Sequence, residues 1–177
     1  VRVLLSEPQI REGVIALARK IESHYRHKPL TVLGVLTGSL IFLSDLIRRM
    51  DVPLQVGVLQ ASSYRGATTT AGELAIDLQR VPDLTDRDVL LLDDIFDTGH
   101  TLQTLVTAIS TRGPGSVKSA VLLWKIGTQR VDYTPDFHAF QIPNEFVVGY
   151  GLDYDDNYRH LPYIAALDPG DFKPPRM

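Results

Sequence analysis

Apolar residues recur at helical spacing along Ile10, Val14, Leu17, Ala18, Ile21 and Tyr25, which predicts one amphipathic helix with a single buried stripe. The residues before it, Ser6-Glu7-Pro8-Gln9, supply a start signal, with a hydroxyl at the N-cap and Gln9 placed to close a capping box. Thr31–Leu36 (TVLGVL) is short, β-branched and nearly all apolar, the pattern of a strand covered on both faces. After the turn Thr37-Gly38-Ser39, helical spacing returns at Leu40, Phe42, Leu43, Leu46, Ile47 and Met50. Leu54–Ala61 reads as another strand, and Val89–Leu92 (VLLL) as the clearest buried one. Leu102, Leu105, Val106 and Ile109 mark a third helix, stopped by Gly113-Pro114-Gly115. Val117–Trp124, Phe137–Ile142 and Phe146–Tyr150 complete the predicted strands. Between 62 and 72 the texture changes to SSYRGATTTAG, hydroxyls and small residues without apolar periodicity. This predicts a long loop or loose hairpin, of the kind that often serves as a lid.

Strands alternating with helices argue for an α/β domain with a mostly parallel sheet. No internal repeat, low-complexity segment or linker interrupts the 177 residues, so one domain spanning 1–177 is expected, with a proline-rich tail over 168–177 that frays. Hydrophobic residues at 44% and charged residues at 22% exclude a disordered, collagen-like or coiled-coil chain. With 18 Lys+Arg against 21 Asp+Glu the formal charge is -3, so no global positive field attracts nucleic acid. The absence of cysteine excludes disulfides, thiolate nucleophiles and thiolate metal sites. The longest charge-free stretch, Pro29–Ser44, has 16 residues and two glycines, short of a membrane span. With no export signal at the N-terminus either, a cytoplasmic protein is expected. The histidines show no tight ligand spacing except His24 and His27, read as an exposed helix end, so no transition-metal site is assigned.

In open α/β sheets, ligands bind beyond the carboxyl ends of the strands. At such an end, after Leu92, Asp93 and Asp94 emerge together, Asp97 follows, and Thr98-Gly99-His100-Thr101 leads into a helix. A helix N-terminus presents amide donors and a positive dipole end, suited to a phosphate monoester. Two carboxylates beside it would repel bare phosphate, but suit sugar hydroxyls or a hard cation such as Mg²⁺. Together the features describe a sugar phosphate. The plainer alternative is that Asp97 and Thr98 cap the helix while Asp93 and Asp94 are solvated. No GxxxxGK[ST] and no strand-linked GxGxxG is present.

The stretch VLLLDDIFDTGHTL (Val89–Leu102) resembles the phosphoribosyl pyrophosphate (PRPP) motif of type I phosphoribosyltransferases. FQIPNEFVVGYGLDYDDNYRHLPYI (Phe140–Ile164) is more specific and resembles the C-terminal signature of hypoxanthine-guanine phosphoribosyltransferases. LTGS (Leu36–Ser39) and SSYRGATTTAG stand where that family has its pyrophosphate loop and mobile active-site loop. The resemblance implies a mostly parallel central sheet flanked by helices, with a small hood formed by terminal segments. It implies purine salvage: hypoxanthine and/or guanine plus PRPP give the nucleoside monophosphate and pyrophosphate, with Mg²⁺, in a homodimer or homotetramer.

Residue by residue, the resemblance implies that Asp93 and Asp94 hold the ribose hydroxyls directly or through Mg²⁺. Asp97, Thr98, Gly99, His100 and Thr101 would cradle the 5′-phosphate, and Asp97 would also be the general base near the purine N7. Lys125 would donate to the 6-oxo group, Phe146 would stack on the base, and main-chain groups at Glu145 and Val147 would read its edge. Main-chain carbonyls near Val147 and Asp153 could accept from a 2-amino group, and the Asp153 side chain would bind a second Mg²⁺ on the pyrophosphate side. Arg159 with the Thr37-Gly38 amides would grip the departing pyrophosphate, and Ser63 and Tyr64 would close over the reacting centre. Two positions depart from the family: Asp93 replaces the usual Glu, one methylene longer, and Thr37 stands where Lys or Arg is often found.

Each assignment has a plainer alternative. Lys125 at a strand end can be solvated, Phe146 beside two valines can be core, and Asp153 and Arg159 can form a surface pair of little energetic weight. Two other classes compete with the enzyme. A PRPP-sensing regulator that binds nucleic acid sits poorly with the acidic charge balance. A phospho-acceptor domain leaves the IPNEFVVGYGLDYDD segment without a role.

Overall fold

Ser6 begins the first helix as its sequence predicts. Its hydroxyl accepts from the Gln9 amide, and the Gln9 side chain returns to the Ser6 amide at 2.8 Å. The helix, α1 (Glu7–Tyr25), buries Ile10, Val14, Leu17, Ala18, Ile21 and Tyr25, the whole predicted stripe. These observations come from a computed structural model that describes residues 1–26, 28–63 and 73–172.

The main sheet contains β2 (Leu30–Leu36), β3 (Leu54–Ser63), β4 (Leu74–Asp77), β5 (Asp88–Phe96), β6 (Ser116–Lys125) and β7 (Phe137–Ile142), in the order β4-β3-β2-β5-β6-β7. The four pairings from β3 through β7 are parallel, and only β4 joins antiparallel. Helix α2 (Leu40–Ile47) connects β2 to β3, and α3 (His100–Ser110) connects β5 to β6. Alternate side chains of the central strands feed two cores. Leu30, Val32, Leu90 and Leu92 pack with α1 and α2, whereas Leu33, Val35, Val89 and Leu91 pack with α3. Burial on both faces explains why these strands read as continuous apolar runs.

A second sheet of three short antiparallel strands, ordered β1-β9-β8, is built from β1 (Arg2–Leu5), β8 (Val147–Val148) and β9 (Ile164–Ala166). It is the hood made of terminal segments. β1, β4 and β9 carry no signal strong enough to have been predicted; each is short and held by its partner strand. Phe146–Tyr150 forms a narrower strand than predicted, because Gly149 and Gly151 take φ values of +97° and +103° and turn the chain after Val148. In the tail, Pro169–Asp171 forms a 3-10 turn, and 173–177 lie outside the described residues. Most of the predicted 62–72 loop lies outside them too, including Tyr64; 62 and 63 extend β3.

The topology positions a site before any side chain is considered. From β2 the chain moves through α2 toward β3, and from β5 through α3 toward β6, in opposite directions across the sheet. The crevice between the carboxyl ends of β2 and β5 is therefore a topological switch point. Among the described residues, no helix is long and apolar enough to cross a membrane.

Candidate active site

The cleft at that switch point has a volume of about 340 Å³ and is walled by both loops and by the segment after the hood strand. Gly38, Asp93, Asp94, Asp97, Thr98, Gly99, Thr101, Asp153 and Arg159 all line it. Residues separated by more than a hundred positions thus converge on the carboxyl ends of two adjacent strands.

Its floor is the start of α3. Gly99 is the N-cap at φ +88°, and a Cβ there would meet Val131 at 2.5 Å and the Phe96 ring at 2.9 Å. Only glycine fits both the angle and the space. The helical ladder opens with Gln103 N to Gly99 O at 3.0 Å, so the preceding amides belong to the unladdered first turn. Neither Asp97 nor Thr98 supplies the N-cap. Asp97 Oδ2 instead lies 3.2 Å from Lys125 Nζ, whereas Thr98 Oγ1 accepts from the His100 amide at 3.4 Å, so of the simple capping alternative only the Thr98 contact to the helix start is present.

Asp93 and Asp94 form the acidic wall, with the Asp94 amide donating to Asp93 Oδ1 at 2.9 Å. Burial pushes the Asp93 carboxyl well above the usual carboxylate range, and the Asp94 charge beside it pushes the same way. Burial also raises Asp94, opposed by hydrogen bonds from its surroundings and by the Arg159 charge. Neither is the solvated surface acid of the plainer alternative. Two crowded carboxylates are relieved by a hard cation or by hydroxyl donors. Among the described residues no three potential ligands gather closely enough to hold a metal alone. The donor set nevertheless fits Mg²⁺, which keeps waters and is commonly held by one or two carboxylates plus substrate oxygens.

This pair has a measurable consequence. A carboxyl whose folded pKa exceeds its unfolded value binds extra protons in the folded state, so its contribution to stability falls as pH rises through that interval. Asp93→Asn keeps an acceptor for the Asp94 amide while removing the more strongly perturbed charge. The ligand-free variant should melt higher than the parent at pH 8, with the gain shrinking toward pH 4. A pH-independent difference in Tm would show that this carboxyl is not held under electrostatic stress.

The opposite wall comes from the turn after β2 (Leu36–Ser39) and the segment after β8. The Leu36–Thr37 peptide is cis, and Gly38 sits so close to the acidic pair that a Cβ on it would lie 1.8 Å from Asp94 Oδ2. Arg159 donates to Gly151 O at 2.7 Å and pairs with Asp153 at 3.0 Å. The Asp153–Arg159 pair does exist, but in the cleft and about 30% exposed, rather than as a fully solvated surface pair. Thr37 is exposed and is not among the lining residues, nor is His100.

Lys125, Glu145, Phe146 and Val147 lie outside the cavity lining. Lys125 is 8% exposed and joins the cleft through Asp97, so a solvated lysine is excluded. Phe146 is 44% exposed rather than core. Val147 is buried in the core, which leaves only its main chain for recognition, and the Glu145 amide donates to Pro143 O at 2.8 Å while its carboxylate pairs with Arg2.

Sequence reasoning missed several supporting groups. Thr128 Oγ1 and Gln129 Nε2 each donate to the Asp97 carbonyl at 3.0 Å, and Gln129 also reaches the Lys125 carbonyl at 2.6 Å. They tie the two strand ends carrying Asp97 and Lys125. The Tyr150 hydroxyl donates to Asp45 Oδ2 at 2.5 Å, and burial keeps that hydroxyl protonated far above neutrality. This links α2 to the segment bearing Arg159. Nothing in the spacing of these residues signals either role. A second cavity of about 350 Å³, lined by residues of α1 and α2 with Tyr150, His160, Leu161 and Pro162, contains none of the candidate site residues.

The family model for the phosphoribosyl transferase domain matches residues 2–155. A hypoxanthine-guanine phosphoribosyltransferase of Lactococcus lactis is 42% identical over 95% of this chain and 91% of its own. A bifunctional TilS/HprT protein of Listeria monocytogenes is 41% identical over 95% of this chain, which spans only 26% of that longer protein. The solved hypoxanthine phosphoribosyltransferase of Staphylococcus aureus superposes with a TM-score of 0.90 at 38% identity, covering 98% of this chain and 94% of that one. With the switch-point cleft, the acidic wall and the hood segment all in place, this chain belongs to the phosphoribosyl transferase family and, within it, to the hypoxanthine-guanine phosphoribosyltransferases.

Proposed function

We propose that the cleft transfers the phosphoribosyl group of PRPP to hypoxanthine and/or guanine, giving the nucleoside 5′-monophosphate and pyrophosphate. Family membership makes the chain a purine-salvage phosphoribosyltransferase; the substrates and residue roles are our reading of its site. The observation that carries it is the convergence, in one cleft, of a helix start, an acidic pair, a glycine loop and Arg159.

In this reading the unladdered amides of α3, with Thr98 and Thr101, hold the 5′-phosphate, and Asp93 and Asp94 orient the ribose hydroxyls. The purine N9 forms a bond to ribose C1, and the C1–O bond to pyrophosphate breaks with its electron pair leaving on pyrophosphate. Asp97 accepts the proton the purine gives up at N7. Lys125, fixed by Asp97 and buried, donates to the 6-oxo group. A 6-amino group cannot accept in that way, so adenine is rejected. Arg159 and the Thr37-Gly38 amides take the growing charge on the leaving group. Asp93 and Asp94 on the ribose side, and Asp153 on the pyrophosphate side, would hold Mg²⁺, which when bound neutralises phosphate charge. The lid residues Ser63 and Tyr64 would exclude water from an electron-poor ribose centre. A cytoplasmic location and a homodimer or homotetramer belong to the same proposal.

A Mg²⁺-dependent assay with PRPP against hypoxanthine, guanine, xanthine and adenine tests it. Turnover of hypoxanthine or guanine without adenine is expected. Turnover of adenine alone would overturn the Lys125 role.

A further inference from the structure

Phe146 does not stand alone on the hood. Its ring lies 5.8 Å from Tyr154 and 5.5 Å from Phe172, and those two lie 5.2 Å from each other. All three contacts are close to perpendicular, with interplanar angles of 78° to 89°. Phe146 nonetheless keeps 44% of its surface exposed, so two neighbours still leave room for a flat ligand. Tyr154 belongs to the hood signature, whereas Phe172 comes from beyond β9 and from no recognised motif.

The backbone delivers Phe172 to this spot by a defined route. The Leu167 amide donates to the Phe146 carbonyl at 2.9 Å, which aligns the chain leaving β9 beside Phe146. The chain then reverses through the Pro169–Asp171 turn, closed by Asp171 N to Asp168 O at 2.8 Å and Asp168 N to Asp171 Oδ2 at 2.8 Å. Phe172 follows directly. A phenylalanine this exposed would otherwise sample several staggered rotamers of similar energy. Two edge-to-face contacts select one of them.

We infer that Phe172 is a positioning residue for purine binding: it holds the Phe146 ring in one orientation, so that the stacking face is formed before the base arrives. The inference rests on the proposed stacking role of Phe146 and adds a residue that the family motif does not contain. Preorganisation of this kind acts on affinity for the stacked partner and not on the chemistry.

Steady-state kinetics on the full chain test it with Phe146→Ala, Phe172→Ala, Phe172→Tyr and the double alanine variant. Phe172→Ala should raise KM for the purine by about two- to tenfold, the range of a lost aromatic pair, and leave kcat and KM for PRPP unchanged. Phe172→Tyr should restore the parent value, and Phe172→Ala should have no further effect once Phe146 is alanine. An unchanged purine KM in Phe172→Ala overturns the inference. A lowered one does so as well, since it would make Phe172 a competitor of the base. If Phe146→Ala leaves the purine KM untouched, the stacking reading itself fails, whatever Phe172 does. If Phe146→Ala raises it and Phe172→Ala adds an equal penalty in both backgrounds, only the positioning inference falls.

Discussion

Asp97→Asn is expected to lower kcat by about 10²- to 10³-fold, with a much smaller change in KM for PRPP. The substitution keeps the side chain's size and one acceptor oxygen but removes the basic site. Because Asp97 Oδ2 lies 3.2 Å from Lys125 Nζ, the change also releases an ammonium that is itself largely buried. The two consequences separate experimentally. Loss of the base removes the acid limb of the kcat–pH profile, whereas displacement of Lys125 raises KM for the purine. The Asp97 carbonyl remains tied by Thr128 and Gln129, so the proposed phosphate-binding segment Asp97–Thr101 should keep its shape. An unchanged kcat would leave Asp97 only that loop role.

Gly38→Ala is expected to reduce kcat/KM for PRPP by about 10²-fold while leaving the melting temperature close to that of the parent. The new methyl would stand 1.8 Å from Asp94 Oδ2 and 2.7 Å from its Cγ, so the two groups cannot both keep their places. The obstructing atoms end a side chain that can rotate away, and the fold therefore tolerates the change. The site does not, because the rotation takes one carboxylate off the position proposed for it against the ribose hydroxyls, and misplacement by about 1 Å costs catalysis on that scale. Loss of stability in proportion to loss of activity would instead mean that Gly38 is needed by the loop backbone alone.

Much of the frame was legible because burial on both faces leaves a strong mark. Val89–Leu92 and Thr31–Leu36 are apolar runs that only a covered parallel strand requires, and the α1 stripe was complete down to its capping box. The acidic segment after Leu92 was legible for another reason. Local sequence carries Asp93, Asp94, Asp97 and Gly99 on one strand–turn–helix unit, so their proximity needs no long-range folding. The hood was not legible strand by strand. β8 has two residues and β9 three, too few for periodicity, and both exist because their partners supply the hydrogen bonds. Nor could spacing reveal that Lys125 would be paired rather than solvated, or that Phe146 would stay exposed beside two valines that are buried.

Sequence alone determined the α/β class, the switch from strand to phosphate-suited helix start at Asp93–Thr101, and the order of the family's motifs. Those features are local: they depend on residue type and spacing within one or two elements. Tertiary structure alone decided which distant groups meet: Gly38 against Asp94, Lys125 against Asp97, Tyr150 against Asp45, and Phe172 against Phe146. Each of those contacts joins segments whose separation in the chain is bridged by sheet order and hood packing, and neither is written in the periodicity of either partner.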